Sequence, residues 1–224
     1  MDYKRNLIEI LDQLGPQRIR TPVYDNDKQL LAEGVADERD GNLEDFDTVK
    51  FSGKTVVDLG CNLGNYSIFA SQRGAECVVG IDLDKLVLQG SEILRDMQKV
   101  RNVDFVCMDF TSPSFKQTFD ITMLIDFVGK GIINLGLNRF LDATERMTKE
   151  TMIISARNHY RVEKYFNGSF DSLVEMYSSK HIRDGKFYLA EYITDYFKSK
   201  WKQTTLSKSS HHIGSKKTLR FDRI

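Results

Sequence analysis

Val56-Val57-Asp58-Leu59-Gly60-Cys61-Asn62-Leu63-Gly64-Asn65-Tyr66 is the stretch that decides how the chain is read. Its first residues form a short β-branched strand that ends in an acid. A loop bearing two glycines follows, and from Asn65 the residues suit a helix. A second apolar run, Cys77-Val78-Val79-Gly80-Ile81, ends at Asp82, 24 residues after Asp58. One βαβ unit fits between the two acids.

Outward from this unit the pattern alternates. Strands are expected at 54–59, 77–82, 103–108, 119–125 and 151–156, and helices at 65–73, 84–100 and 133–149. Strands alternating with helices imply parallel pairing through right-handed crossovers. The strands are nearly continuous apolar runs, as expected when both sheet faces are covered. Upstream, residues 6–14 have helical spacing closed by Gly15-Pro16, and the acidic residues 34–48 read as an irregular lead-in. Downstream, residues 159–200 look mostly helical and aromatic. Residues 201–209 and 216–222 read as two strands joined through His211-His212-Ile213-Gly214-Ser215. With no repeat or linker, the simplest division is a lead-in of residues 1–52 and one domain of residues 53–224, with a helical insert at about 157–200.

Composition bounds the class. The 224 residues are 41% hydrophobic and 29% charged, enough for a sizeable core and unlike a disordered chain. No run approaches the ~20 apolar residues of a membrane span, and the first residues do not form a secretory leader. Cys61, Cys77 and Cys107 are odd in number and sit in or beside apolar strands. They suit reduced thiols, so the cytoplasm is the expected location. Net charge is zero, but residues 1–150 carry 18 Lys and Arg against 25 Asp and Glu, and residues 151–224 carry 14 against 7. The basic third is either a solvated surface or a face for an anionic partner such as RNA.

In an open α/β sheet, ligands bind beyond the carboxyl ends of the strands. Asp58, Asp82, Asp109 and Asp126 each fall at such an end. One acid alone reads as a helix cap or loop residue, but four on consecutive strands define a rim. Dinucleotide binding is the first candidate for that rim. Its glycine fingerprint is incomplete here, because Asn62 takes the middle position and no third glycine follows. Asp58, just ahead of the loop, would also repel a pyrophosphate. It would favour a cation, such as the ammonium and sulfonium of S-adenosylmethionine. A phosphate-binding P-loop fails as well: Gly53-Lys54-Thr55 lacks a glycine at Thr48 and enters a strand where a helix is required.

Asp58-Leu59-Gly60-Cys61-Asn62-Leu63-Gly64, with Asp82 and the strand order, resembles the class I, Rossmann-like S-adenosylmethionine-dependent methyltransferases. The resemblance covers residues 53–156, and the two closing strands fit the family's antiparallel end. It implies a doubly wound, mostly parallel seven-stranded sheet with an antiparallel closing strand and helices on both faces. By the same resemblance, Asp58, Gly60, Asn62 and Gly64 hold the methionine part of S-adenosylmethionine. Asp82 takes the ribose hydroxyls and Leu83 packs on adenine. Asp109 and Phe110 contact the adenine amine and ring, and Asp126 borders the methyl group. Asn62 departs from the family's usual glycine, yet asparagine tolerates positive φ. A looser resemblance, carried by Gly53–Cys61 with its lead-in and by Gly74-Ala75, links the chain to enzymes that modify the wobble uridine of tRNA.

The acceptor leaves less trace. Methyl transfer is a displacement that positioning can accelerate, so no universal catalytic residue is required. Strand four is followed by Phe127-Val128-Gly129-Lys130, not by the Asn-Pro-Pro-aromatic run used on exocyclic amines, and no cysteine follows a proline. The acceptor stays unidentified by sequence, either a small molecule or an RNA. His159 and His181 are candidate general bases, although a packing or surface position suits each of them better. His211 and His212 are adjacent and would point to opposite faces of a strand, so no metal site is expected. The aromatic residues between 160 and 197 fit helices packed on a core better than a base-stacking lid. Two further classes are compatible with the loop: a nicotinamide-dependent oxidoreductase, and a non-catalytic cofactor-binding subunit of a methyltransferase complex.

Overall fold

The computed structural model describes residues 2–35, 43–166, 170–207 and 216–224. The His211-His212 connection lies outside these residues, as does part of the acidic lead-in. The main sheet has seven strands: β1 Thr55–Leu59, β2 Cys77–Asp82, β3 Val103–Cys107, β4 Phe119–Leu124, β5 Thr148–Arg157, β6 Trp201–Thr205 and β7 Lys216–Arg223. Their order across the sheet is β6-β7-β5-β4-β1-β2-β3. β1 to β5 are mutually parallel, and β7 runs antiparallel to both β5 and β6. The expected seven-stranded, mostly parallel sheet with an antiparallel closing strand is therefore the observed one.

Helices cover both faces. Against one face pack α1 (Tyr3–Leu14), α2 (Asn65–Gln72) and α3 (Lys85–Met97), burying Leu7, Leu11, Tyr66, Ile68, Val87 and Leu94 with Val56, Val78 and Ile153 of the sheet. α1 begins where the Asp2 carboxylate accepts the Arg5 N–H, and its buried Leu7, Leu11 and Leu14 recur at helical spacing. The Asp84 carboxylate caps α3 in the same way, accepting the Leu86 and Val87 N–H groups. Against the other face lie α4 (Lys130–Asn134), α5 (Asn138–Met147), α6 (Val162–Tyr165), α7 (Phe170–Tyr177) and α8 (Leu189–Phe197).

Two stretches differ from expectation. The single helix expected over 133–149 is divided into α4 and α5, with Gly136 between them at φ 92°. A glycine tolerates that left-handed backbone at no steric cost, and a helix cannot continue through it. β5 also starts earlier than expected, directly at the end of α5. The mostly helical reading of 159–200 missed a small antiparallel sheet, in which Lys186–Phe187 pairs with Tyr160–Arg161 on one side and Ile182–Arg183 on the other. Its turn is Asp184-Gly185, with φ of 52° and 65°. Positive φ at both central residues is the hairpin geometry that Asp-Gly favours. Packing accounts for most of the aromatic residues here: Tyr160, Tyr177, Phe187, Tyr192 and Phe197 are buried, and Phe166 and Tyr196 pack against the same core. Among the described residues, no helix is long and apolar enough to cross a membrane.

Candidate functional site

The chain leaves β1 toward β2 and β3 on one side, then returns to β4 on the other. The carboxyl ends of β1 and β4 are thus adjacent where strand order reverses, the place where α/β sheets hold ligands. A cavity of about 250 Å³ opens there. Of the nine residues expected from the sequence, Gly60, Asn62, Asp82, Leu83, Asp109, Phe110 and Asp126 line it.

The loop of Gly60 to Gly64 forms one wall. Gly60 has φ 71°, its N–H donates to the Ile81 carbonyl at 2.8 Å, and a Cβ built on it would lie 2.3 Å from a carbon of the Phe127 ring. A side chain there would fill the cradle between loop and ring. Asn62 has φ 49°, the left-handed backbone expected of it. Gly64 has φ 77° at the N-terminus of α2. It backs onto the Phe105 ring, away from the cavity.

Asp82 ties the loop to β2. One carboxylate oxygen accepts the Asn62 N–H and the other the Asp84 N–H, both at 3.0 Å. Beside it, Leu83 is 69% exposed, an apolar shelf at the mouth of the cavity. The Asp109 carboxylate accepts both the hydroxyl (2.7 Å) and the N–H (2.9 Å) of Thr111, and these hydrogen bonds hold its pKa below the usual carboxylate value. Phe110 sits with Phe127 and Phe140 in a three-ring cluster with centroids 5.3–5.9 Å apart.

Asp58, also expected at the site, lies outside the cavity lining. Alternation along β1 turns its side chain toward α2, under the loop. It is 1% exposed, accepts the Ser67 hydroxyl at 2.7 Å and does not line the cavity. Burial pushes its pKa up to about 7, against the lowering effect of the Ser67 hydrogen bond and with a smaller raising effect from Asp82. Asp58 therefore supports the floor of the site from beneath the loop.

Asp126 is also engaged by the protein. It has φ 55°, and its N–H donates to the Ser155 hydroxyl at 2.7 Å. Its carboxylate pairs with Lys216 of β7 and lies 3.4 Å from the Nε of Arg20. Arg20 and Thr21, from the segment after α1, form part of the cavity wall. They have no counterpart among the sequence-derived candidates. The segment is fastened by Asn62, whose side-chain carbonyl accepts the Arg20 N–H at 3.1 Å and whose amide donates to the Arg18 carbonyl at 2.9 Å. Arg18 also pairs with Asp84, and Thr21 with Asn65.

The candidate bases are elsewhere. His181 is buried, its Nε2 3.0 Å from the Asp195 carboxylate and its ring against Tyr192. His159 lies beside Tyr188 in a second, polar cleft between α8 and strands β6 and β7. Neither lines the first cavity. Among the described residues, no group of three His, Cys, Asp or Glu side chains could hold a metal ion.

The fold and the position of the cavity are those of a class I, Rossmann-like methyltransferase, and comparison with known proteins makes the assignment specific. The model of the FtsJ-like methyltransferases matches residues 40–212, and the chain belongs to that family. The ribosomal protein L11 methyltransferase of Vibrio campbellii is 43% identical over 60 residues, which is 27% of this chain and 20% of that enzyme. Such a match spans only a fifth of the relative. In structure, the PH0226 protein of Pyrococcus horikoshii OT3 aligns with a TM-score of 0.57 at 18% identity, covering 85% of this chain and 93% of that one. The N-methyltransferase NodS of Bradyrhizobium japonicum WM9, solved with S-adenosyl-L-homocysteine, aligns with a TM-score of 0.51 at 11% identity over 81% and 82%. These two likenesses concern the fold.

Proposed function

We propose that the cavity binds S-adenosylmethionine and that the protein transfers its methyl group to a small molecule or an RNA. The observation that carries this reading is the pairing of Asp82, at the end of β2, with the exposed Leu83 shelf beside a loop that has no room for a side chain at Gly60. Those features suit a ribose diol, a purine ring and an extended amino-acid chain. Asp82 would take the ribose hydroxyls, Leu83 and Phe110 would enclose the adenine, and Asp109 would accept from its amine. The loop of Gly60 to Gly64 would carry the methionine part, and Asp126 would border the methyl group. S-adenosylmethionine supplies a methyl group activated by its positive sulfur. The protein's own contribution is to orient that group and keep water from it, with Phe110, Phe127 and Phe140 forming the apolar wall.

In this reading residues 1–52 belong to the same functional unit as 53–224. Leu7 and Leu11 share a core with β1 and β2, and Arg20 reaches the cavity. The basic residues after position 150 support an anionic acceptor, and the wobble-uridine resemblance falls within the RNA alternative.

Titration calorimetry with S-adenosyl-L-homocysteine tests the assignment. Wild-type protein is expected to bind it with a micromolar Kd, and absence of heat at millimolar ligand would remove the proposal. Asp82→Ala should weaken binding about a hundredfold, because a charge-assisted pair of hydrogen bonds contributes ~3 kcal/mol. Unchanged affinity in that variant would refute the ribose role.

A further inference from the structure

We infer that Arg20 recognises the carboxylate of the donor's amino-acid part, and that Asn62 stands where a glycine would suffice because it holds Arg20 in place. The inference rests on the donor reading above and extends it to a residue outside the nucleotide-binding core.

The cavity wall carries three acids, Asp82, Asp109 and Asp126, and one base, Arg20, among its described lining residues. The acids already have partners. Asp82 accepts two backbone N–H groups, Asp109 is held by Thr111, and Asp126 is paired with Lys216 and bonded to Ser155. With Lys216 matching the charge of Asp126, the Arg20 guanidinium is not needed to neutralise it. The buried Nε of Arg20 makes no hydrogen bond and meets Asp126 only as a 3.4 Å ion pair, on a carboxylate that Lys216 already balances. An arginine has five donors in a rigid fork that matches a carboxylate. Arg20 therefore presents a cation with donors to spare beside the loop assigned to the methionine part.

Asn62 explains how a residue 42 positions earlier is kept there. Its backbone adopts the positive φ that glycine provides, so a glycine would serve the loop equally well. What the side chain adds is two hydrogen bonds, both to the backbone of the Arg18–Arg20 segment. The Arg18–Asp84 ion pair and the Thr21–Asn65 contact fasten the segment on either side. The departure from the usual glycine thus couples the loop to the arginine.

The test compares two ligands that differ only in the amino-acid part. S-adenosyl-L-homocysteine carries the carboxylate; 5′-methylthioadenosine keeps the adenine, ribose and thioether and lacks it. Calorimetry on wild type, Arg20→Ala and Asn62→Gly should show Arg20→Ala weakening S-adenosyl-L-homocysteine by roughly tenfold to a hundredfold, the effect of one charge-assisted contact. Its affinity for 5′-methylthioadenosine should stay within about twofold, which also shows that the variant is folded. Asn62→Gly should show the same selectivity with a smaller loss. Equal weakening of both ligands by Arg20→Ala, or unchanged binding of S-adenosyl-L-homocysteine, overturns the inference and leaves the donor assignment standing. Failure of the wild type to bind either ligand removes the donor assignment and the inference together.

Discussion

Gly60→Ala is expected to weaken S-adenosyl-L-homocysteine binding by at least about a hundredfold and to lower Tm by about 5–10 °C. The backbone at residue 60 has φ 71°, and a side chain in that left-handed region costs ~1–2 kcal/mol. The added Cβ would lie 2.3 Å from the Phe127 ring. The ring cannot retreat freely, since its centroid is 5.3 Å from that of Phe110 and 5.4 Å from that of Phe140. Forcing such a cluster apart adds ~1–3 kcal/mol. For a chain of this size each kcal/mol corresponds to ~2–4 °C in Tm. The same Cβ projects into the cradle assigned to the donor, so binding should fall by at least about a hundredfold, the factor for ~3 kcal/mol. Calorimetric binding and melting on one preparation check both parts. An alanine variant that binds normally would mean the ligand does not approach Gly60.

The second large effect is on stability against pH. The Asp58 carboxyl titrates near pH 7 in the folded protein because it is buried, and at 3.8 in its ordinary state. Between those values the folded state holds a proton that the unfolded state has released. Asp58 therefore favours folding least at high pH: stability falls as pH rises from about 4 through 7. From pH 5 to pH 8 the loss is ~2–3 kcal/mol. Asparagine cannot ionise, yet its carbonyl can still accept the Ser67 hydroxyl. Asp58→Asn should be less sensitive to pH than wild type, its Tm rising relative to wild type by about 5–10 °C between pH 5 and pH 8. Parallel Tm curves for the two proteins across that range would show that Asp58 ionises as an ordinary surface carboxylate does.

The central sheet was legible because both of its faces are covered. β2 is expected and observed at 77–82, and β1 and β4 differ from expectation by one residue at one end. Their runs of Val, Ile and Leu leave no choice of exposed face. The regions that were misread follow local chemistry that competes with periodicity. Gly136 divides a helix whose apolar spacing continues across it, and Asp184-Gly185 makes a hairpin inside a segment rich in helix-compatible aromatics. The site was legible where it depends on strand ends, which explains Asp82, Asp109 and Asp126. Arg20 and Lys216 were not, since each reaches Asp126 through tertiary packing that no local pattern records. Asn62 was read correctly for its backbone, but its side-chain role required knowing what crosses above the loop.

The strand order has a consequence for how the chain is made. β5 has β4 on one side and β7 on the other, and β6 meets the sheet only through β7. A nascent chain that has emitted residues 148–205 therefore carries both β5 and β6 without the strand that joins them. One edge of β5, with Met152, Ile153 and Ile154 wholly buried in the finished protein, stays open to other chains until residues 216–223 emerge. Unpaired apolar edges of this kind recruit neighbouring chains. Aggregation during synthesis should accordingly track the delay before β7 is delivered, and an early stop between β6 and β7 should give insoluble product even though most of the sheet has been made.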